Sequence, residues 1–112
     1  MTTKPPPELG KAGRKLWRQV AGTFTFDDPR EAHSLEQACL LADDLARLRA
    51  ELVGAPLIVA GSTGQPTESP LLGAIRNGVA LQAKLLSSIA LEADAATRSH
   101  AGRALAAQRW SA

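Results

Sequence analysis

One segment, Leu57 to Leu72, constrains the fold of this 112-residue chain more than any other. A short apolar run, 57–60, meets the turn Gly61-Ser62-Thr63-Gly64, and Ser69-Pro70 then begins a helix-like pattern. The rest of the sequence is alanine-rich, with apolar residues at helical spacing. Because an isolated two-stranded hairpin is marginal in water and leaves a strand edge unpaired, the segment predicts a hairpin that takes part in assembly between copies.

Two helices are predicted before this hairpin. The first covers about 9–23, with Leu16 and Trp17 on its apolar side and basic residues on the others. The second begins at Asp28-Pro29, because Asp caps free N–H groups and Pro suits the first helical position. Apolar residues three and four apart continue this pattern to about Leu52, where glycine and proline follow.

Two more helices are predicted after the hairpin. Ser69-Pro70 repeats the cap-and-proline start of a third helix that ends near Leu91, and Asp94 can cap a fourth. The predicted fold is therefore mainly α, with four helices and a β-hairpin between the second and third, in copies that assemble into a ring. The expected divisions are a flexible proline-rich arm over 1–8, one helical domain over 9–108 with its hairpin near 57–68, and a frayed tail over 109–112.

Charge is distributed unevenly, although the formal net charge is only +2. The first 20 residues and the stretch after Glu92 are basic, whereas most acidic residues lie in 27–51. Basic ends suit an anionic polymer, and the acidic segment also suits head-to-tail contacts between copies. Aromatic residues make up only 4% of the chain. A core of small aliphatic residues gains burial from partner subunits, which favours an oligomer.

The sequence gives little support for catalysis. A single cysteine excludes an internal disulfide and a cysteine-based zinc site. The turn at 61–64 lacks the Lys-Ser/Thr ending of a phosphate loop, and no stretch is typical of a signal peptide or a membrane span. We expect a cytosolic, non-enzymatic protein without metal, cofactor, membrane or small-molecule partner. Structural roles are assigned to Cys39 (core), Asp27-Asp28 (helix cap), Asp43-Asp44 (surface pair with Arg47), and His33 and His100 (solvated or half-buried).

Nucleic-acid binding is better supported. Basic residues recur at three- and four-residue steps in the first helix and could contact phosphates, which need only positive charge within reach. A solvated basic face explains the same pattern equally well for one short helix. That alternative weakens if several copies assemble, because each basic residue is then repeated. The predicted phosphate contacts are Lys4, Lys11, Arg14, Lys15 and Arg18, followed by Arg98 and Arg103.

Several features of the chain form an ordered set: Pro5-Pro6-Pro7-Glu8-Leu9, Gly10, Lys15-Leu16-Trp17, Leu52-Val53-Gly54, Gly61 through Gly64, and Ser69-Pro70-Leu71-Leu72. In this order they resemble small terminase subunits of tailed phages, in the P27-like family. The sequence departs from the family's pattern before the last helix, where 91–98 keeps Arg98 but lacks the Gly and Pro of the family's usual lead.

This resemblance implies a phage- or prophage-encoded component of a genome-packaging motor, present in the host cytoplasm. Such proteins form rings, bind double-stranded viral DNA, and load or regulate the large terminase subunit, which carries the ATPase and nuclease. Two alternatives remain: a small helical DNA-binding transcriptional regulator, and an oligomeric scaffold that binds only protein. The predicted contacts within or between subunits are Leu57, Ile58, Val59, Leu72, Ile75 and Val79.

Overall fold

Three helices and one β-hairpin make up the computed structural model, which describes residues 4–23, 26 and 28–89. The prediction of a mainly helical chain with a hairpin between the second and third helices is confirmed. The expected fourth helix, 94–108, and the tail, 109–112, lie outside the described residues. The elements are α1 (Lys11–Ala21), α2 (Pro29–Leu52), β1 (Ile58–Ala60), β2 (Pro66–Glu68) and α3, helical over residues 70–89.

Side-chain caps begin the second and third helices, as predicted. Asp28 accepts a hydrogen bond of 2.9 Å from the N–H of Arg30, and Ser69 Oγ accepts one of 3.3 Å from the N–H of Leu71. The start of α1 is different, since its cap is Gly10, which has no side chain. The helix consequently begins at Lys11 rather than near residue 9.

Both α1 and α3 run antiparallel to α2. Gly10 and Gly13 of the α1 region contact Asp43, and Gln82 of α3 donates a hydrogen bond of 3.3 Å to the carbonyl oxygen of Ala38. Burying an aliphatic or aromatic side chain contributes about 1.5–3 kcal/mol, so a small cluster can hold three helices together. The central cluster consists of Leu9, Trp17, Phe26, Leu35, Cys39 and Ile89.

The three predicted contact residues of α3 differ in exposure. Leu72 and Ile75 are half-buried, but Val79 is 40% exposed. The buried neighbour of Val79 is Gly78, where a Cβ atom would lie 2.7 Å from Cδ2 of Leu45. Close approach at this glycine turns α3 so that Val79 lies at the border of the contact with α2.

Candidate nucleic-acid interface

The exposed face of α1 is basic. Lys11, Arg14, Lys15 and Arg18 are all exposed, whereas Gly13 and Trp17 are buried. Successive helical residues turn by about 100°, so these four side chains lie within an arc of about 100° around the helix. The structure therefore brings together four of the seven predicted phosphate contacts. We call these four residues the basic face.

Asp43 of α2 fixes the beginning of α1. Its Oδ2 accepts a hydrogen bond of 2.7 Å from the N–H of Gly10, and its Oδ1 accepts one of 2.8 Å from the N–H of Gly13. In a capping box, two side chains of the same helix satisfy these two N–H groups. Here one carboxylate from a neighbouring helix does so, and its charge also complements the positive end of the α1 dipole.

Sequence reasoning missed this role, since it assigned both Asp43 and Asp44 to a surface pair with Arg47. The assignment is confirmed only for Asp44, whose Oδ1 lies 2.6 Å from Arg47 Nη2. The available signal was the pair Gly10 and Gly13 at the start of a helix without a side-chain cap. Two glycines there leave room for a group from elsewhere in the chain.

The approach of α1 to α2 is close at Gly13. A Cβ atom on this residue would lie 2.7 Å from Asp43 Oδ2 and 2.7 Å from the carbonyl oxygen of Cys39. The carbonyl belongs to the α2 backbone and cannot rotate away. Gly13 is therefore required for the position of the helix that carries the basic face.

Several acidic residues of the described chain are paired with nearby arginines. Asp28 Oδ2 lies 2.7 Å from Arg30 Nη2, and Glu68 pairs with Arg76 of α3. Hydrogen bonds from these arginines lower the pKa of Asp28 and of Glu68. In the acidic segment, Asp44 is likewise paired with Arg47, and Asp43 is bound to the start of α1.

The basic face has no such internal partner. Among the described residues, no carboxylate lies within 4.0 Å of the charged groups of Lys11, Lys15 or Arg18, and Arg14 donates only to the carbonyl oxygen of Pro7, at 3.3 Å. Positive charge without internal compensation is suited to an external polyanion. Lys4 is exposed in the arm that precedes α1, and Arg98 and Arg103 lie outside the described residues.

The turn of the hairpin uses its own N–H groups. The N–H of Gly61 donates to the carbonyl oxygen of Gln65 at 2.7 Å, and the N–H of Gly64 donates to that of Gly61 at 3.0 Å. Thr63 N–H donates to Gln65 Oε1 at 3.0 Å. Gly64 adopts φ +81°, which glycine tolerates. These amides are bonded within the hairpin and are not directed at a phosphate. The turn therefore has a structural role, as predicted, and is not a phosphate-binding loop.

The cysteine of this chain and the possible metal ligands of its described residues can be located in the structure. Cys39 is fully buried, and burial, with Asp43 and then Glu36 acting in the same direction, raises the pKa of its thiol to about 12. Among residues 4–23, 26 and 28–89, no three His, Cys, Asp or Glu side chains form a possible metal site. No helix in those ranges is long and apolar enough to cross a membrane.

The predicted assembly residues differ in accessibility. Leu57 and Ile58 are 56% and 61% exposed, whereas Val59 is half-buried. Exposed apolar residues on a short strand are typical of an interaction surface when they form a patch. The prediction that these residues contact another copy remains a prediction.

No protein-family model, curated protein or solved structure matches this chain.

Proposed function

We propose that this protein is a non-enzymatic, DNA-binding adaptor of a viral genome-packaging motor, of the small terminase type, and that several copies act together as a ring. Its partners on this proposal are double-stranded viral DNA and the large terminase subunit in the host cytoplasm. The ordered sequence features that resemble the P27-like family support the packaging role. The observation that carries the DNA-binding role is the basic face of α1, which has no carboxylate partner among the described residues.

The geometry of the basic face suits phosphate contacts. Lys11 and Arg18 are seven residues apart, which corresponds to about 10 Å along a helix. One copy can therefore reach two or three neighbouring phosphates of one DNA strand. Contacts of this kind carry no sequence information by themselves, so the basic face supplies affinity and orientation.

Rigid placement of α1 strengthens this interaction. Asp43 and the close contact at Gly13 hold the helix against α2, so the four charges keep a fixed relation to the rest of the chain. A preorganised set of charges loses less entropy on binding than the same charges on a mobile segment. Assembly multiplies the effect, because each copy adds its own basic face.

Two charge-neutralised double variants test the proposal. R14Q/K15Q removes two charges from the basic face, and R49Q/K84Q removes two exposed charges from α2 and α3 as a matched control. We expect R14Q/K15Q to weaken DNA binding by at least tenfold for every DNA sequence, with a smaller effect of the control. The measurement is fluorescence anisotropy with labelled duplexes at fixed salt.

The same measurement separates the alternatives. Equal losses for the two variants would contradict the basic face as the binding site. Binding that depends strongly on DNA sequence and saturates with a dimer would favour a transcriptional regulator. An absence of DNA binding by the assembled protein would favour the protein-only scaffold.

A further inference from the structure

The two edges of the hairpin are chemically different. β1 and β2 are antiparallel, with Val59 opposite Thr67 and Ile58 opposite Glu68. Two hydrogen-bonded pairs enclose these strands. The Ser69 N–H donates to the Leu57 carbonyl oxygen at 2.7 Å, and the Gly61 N–H donates to the Gln65 carbonyl oxygen at 2.7 Å. Bonded and non-bonded pairs alternate in antiparallel strands. The backbone groups of Val59 therefore point toward β2, and those of Ile58 and Ala60 point outward.

The outer edge of β2 is protected against pairing. Pro66 has no N–H group to donate, and Glu68 carries a charge that is paired with Arg76. Proline and charged residues are the usual means of blocking a strand edge. A further strand that joins this sheet at β2 would find only one of the two outward backbone donors, because residue 66 has none.

The outer edge of β1 has no such protection. Ile58 and Ala60 each present an N–H and a carbonyl group there, and none of the described residues bonds to them. The strand is uncharged, and the side chains of Ile58 and of the preceding Leu57 are largely exposed. An open donor and acceptor edge with apolar side chains is a template for another strand.

The outward N–H and carbonyl groups of β1 can pair with the same groups of a second copy. If β1 of a second copy runs antiparallel about Val59, each Ile58 lies opposite the Ala60 of the other copy. Both of these pairs are bonded pairs, so the contact contains four backbone hydrogen bonds. From this geometry we propose that β1 pairs with β1 of a second copy across a two-fold axis at Val59. The proposal rests on the assembly part of the proposed function.

Charge favours a second copy over a charged peptide as the occupant. The edge is uncharged, so it offers no partner to an acidic or basic strand. In the proposed four-stranded sheet, the two Glu68 residues lie on the outermost strands, which are about 14 Å apart at a strand spacing of about 4.8 Å. They are also offset along the strands, so the distance between them is larger than that. Each also keeps its own arginine partner, Arg76. Like charges are therefore not brought together.

The area of the contact sets its strength. Two paired strands of three residues each bury well below the roughly 1,200 Å² that a stable interface needs. The contact is therefore weak alone and depends on protein concentration. A two-fold contact also closes on itself, so it joins copies in pairs, and a ring requires a second, different interface.

Cysteine cross-linking tests the pairing directly. In the proposed sheet, the two Val59 residues form a non-bonded pair with Cα atoms about 4.5 Å apart, which a disulfide can join. Val59→Cys should form a disulfide-linked dimer in oxidised glutathione. Thr67→Cys is the matched control, because it lies on the protected strand and should remain monomeric on non-reducing gels. The unmodified chain, with only the buried Cys39, is the blank.

A second experiment, in which two cysteine variants are mixed, applies if Val59→Cys disturbs the packing of this half-buried residue. Ile58→Cys and Ala60→Cys change exposed side chains and should cross-link efficiently only when the two variants are mixed. Equal cross-linking of all variants, or none in either experiment, would overturn the pairing. Salt-dependent DNA binding that persists in that case would leave the proposed function standing. Cross-linking in a protein that does not bind DNA would support the pairing of β1 and contradict the proposed function.

Discussion

Gly13→Ala distinguishes helix propensity from close packing. Alanine is favoured over glycine inside a helix by about 1 kcal/mol, so propensity alone predicts stabilisation. The structure predicts the opposite sign, because the new Cβ atom would lie 2.7 Å from both Asp43 Oδ2 and the Cys39 carbonyl oxygen. Overpacking costs about 1–3 kcal/mol, and displacement of Asp43 weakens two charge-assisted hydrogen bonds worth about 1.5–3 kcal/mol each. After the gain in propensity, we expect a net loss of about 2 kcal/mol in the free energy of unfolding.

Gly73→Ala is the matched control for this experiment. Gly73 is helical in α3, and nothing lies within 4 Å of its would-be Cβ atom. This variant should therefore be stabilised by up to about 1 kcal/mol. Urea unfolding followed by circular dichroism, at one fixed protein concentration, measures both. If Gly13→Ala were as stable as Gly73→Ala, the contact between α1 and α2 described here would be wrong.

Two further predictions concern the same packing. Asp43→Ala should lower the free energy of unfolding by about 1–3 kcal/mol, because it removes the acceptor of the part-buried N–H of Gly13, whereas water can replace the carboxylate at the exposed N–H of Gly10. Asp44→Ala should cost at most about 1 kcal/mol as an exposed pair; equal costs in urea unfolding would refute the cap. The Cys39 thiol should resist thiol reagents at pH 8 until urea unfolds the chain, and rapid native labelling would contradict its burial. The pKa of the Cys39 thiol is about 12 in the folded chain and 9.0 ordinarily, so the unfolded chain loses the thiol proton at lower pH. The free energy of unfolding, relative to that of Cys39→Ala, should therefore fall from about pH 9 upward by at most about 1.4 kcal/mol per pH unit.

Local signals made much of the fold predictable. Asp28 and Ser69 each stand before a proline at the start of a helix, and both cap as expected. The hairpin was also visible, since a short apolar run and a glycine-rich turn are encoded within a few residues. The four basic residues of α1 share one face because their spacing alone determines it.

Long-range contacts were not predictable in the same way. Asp43 lies 30 residues from Gly13, and nothing in its neighbourhood distinguishes it from Asp44, which pairs with Arg47 on the helix surface. The exposure of Val79 also depends on a long-range contact. The sequence groups Val79 with Leu72 and Ile75, but the close contact of Gly78 with α2 decides which of these residues is more buried.

The salt dependence of DNA binding tests the central claim most directly. Contacts with two or three phosphates by one basic face predict a slope of about −1.8 to −2.7 in a plot of log affinity against log salt, since each contact contributes about −0.9. Affinity should therefore fall by about 12- to 40-fold between 50 and 200 mM salt, and more steeply if several copies bind the same duplex. The measurement requires the assembled species, with its mass determined by light scattering in the same buffers. A flat dependence would contradict phosphate binding by the basic face of α1.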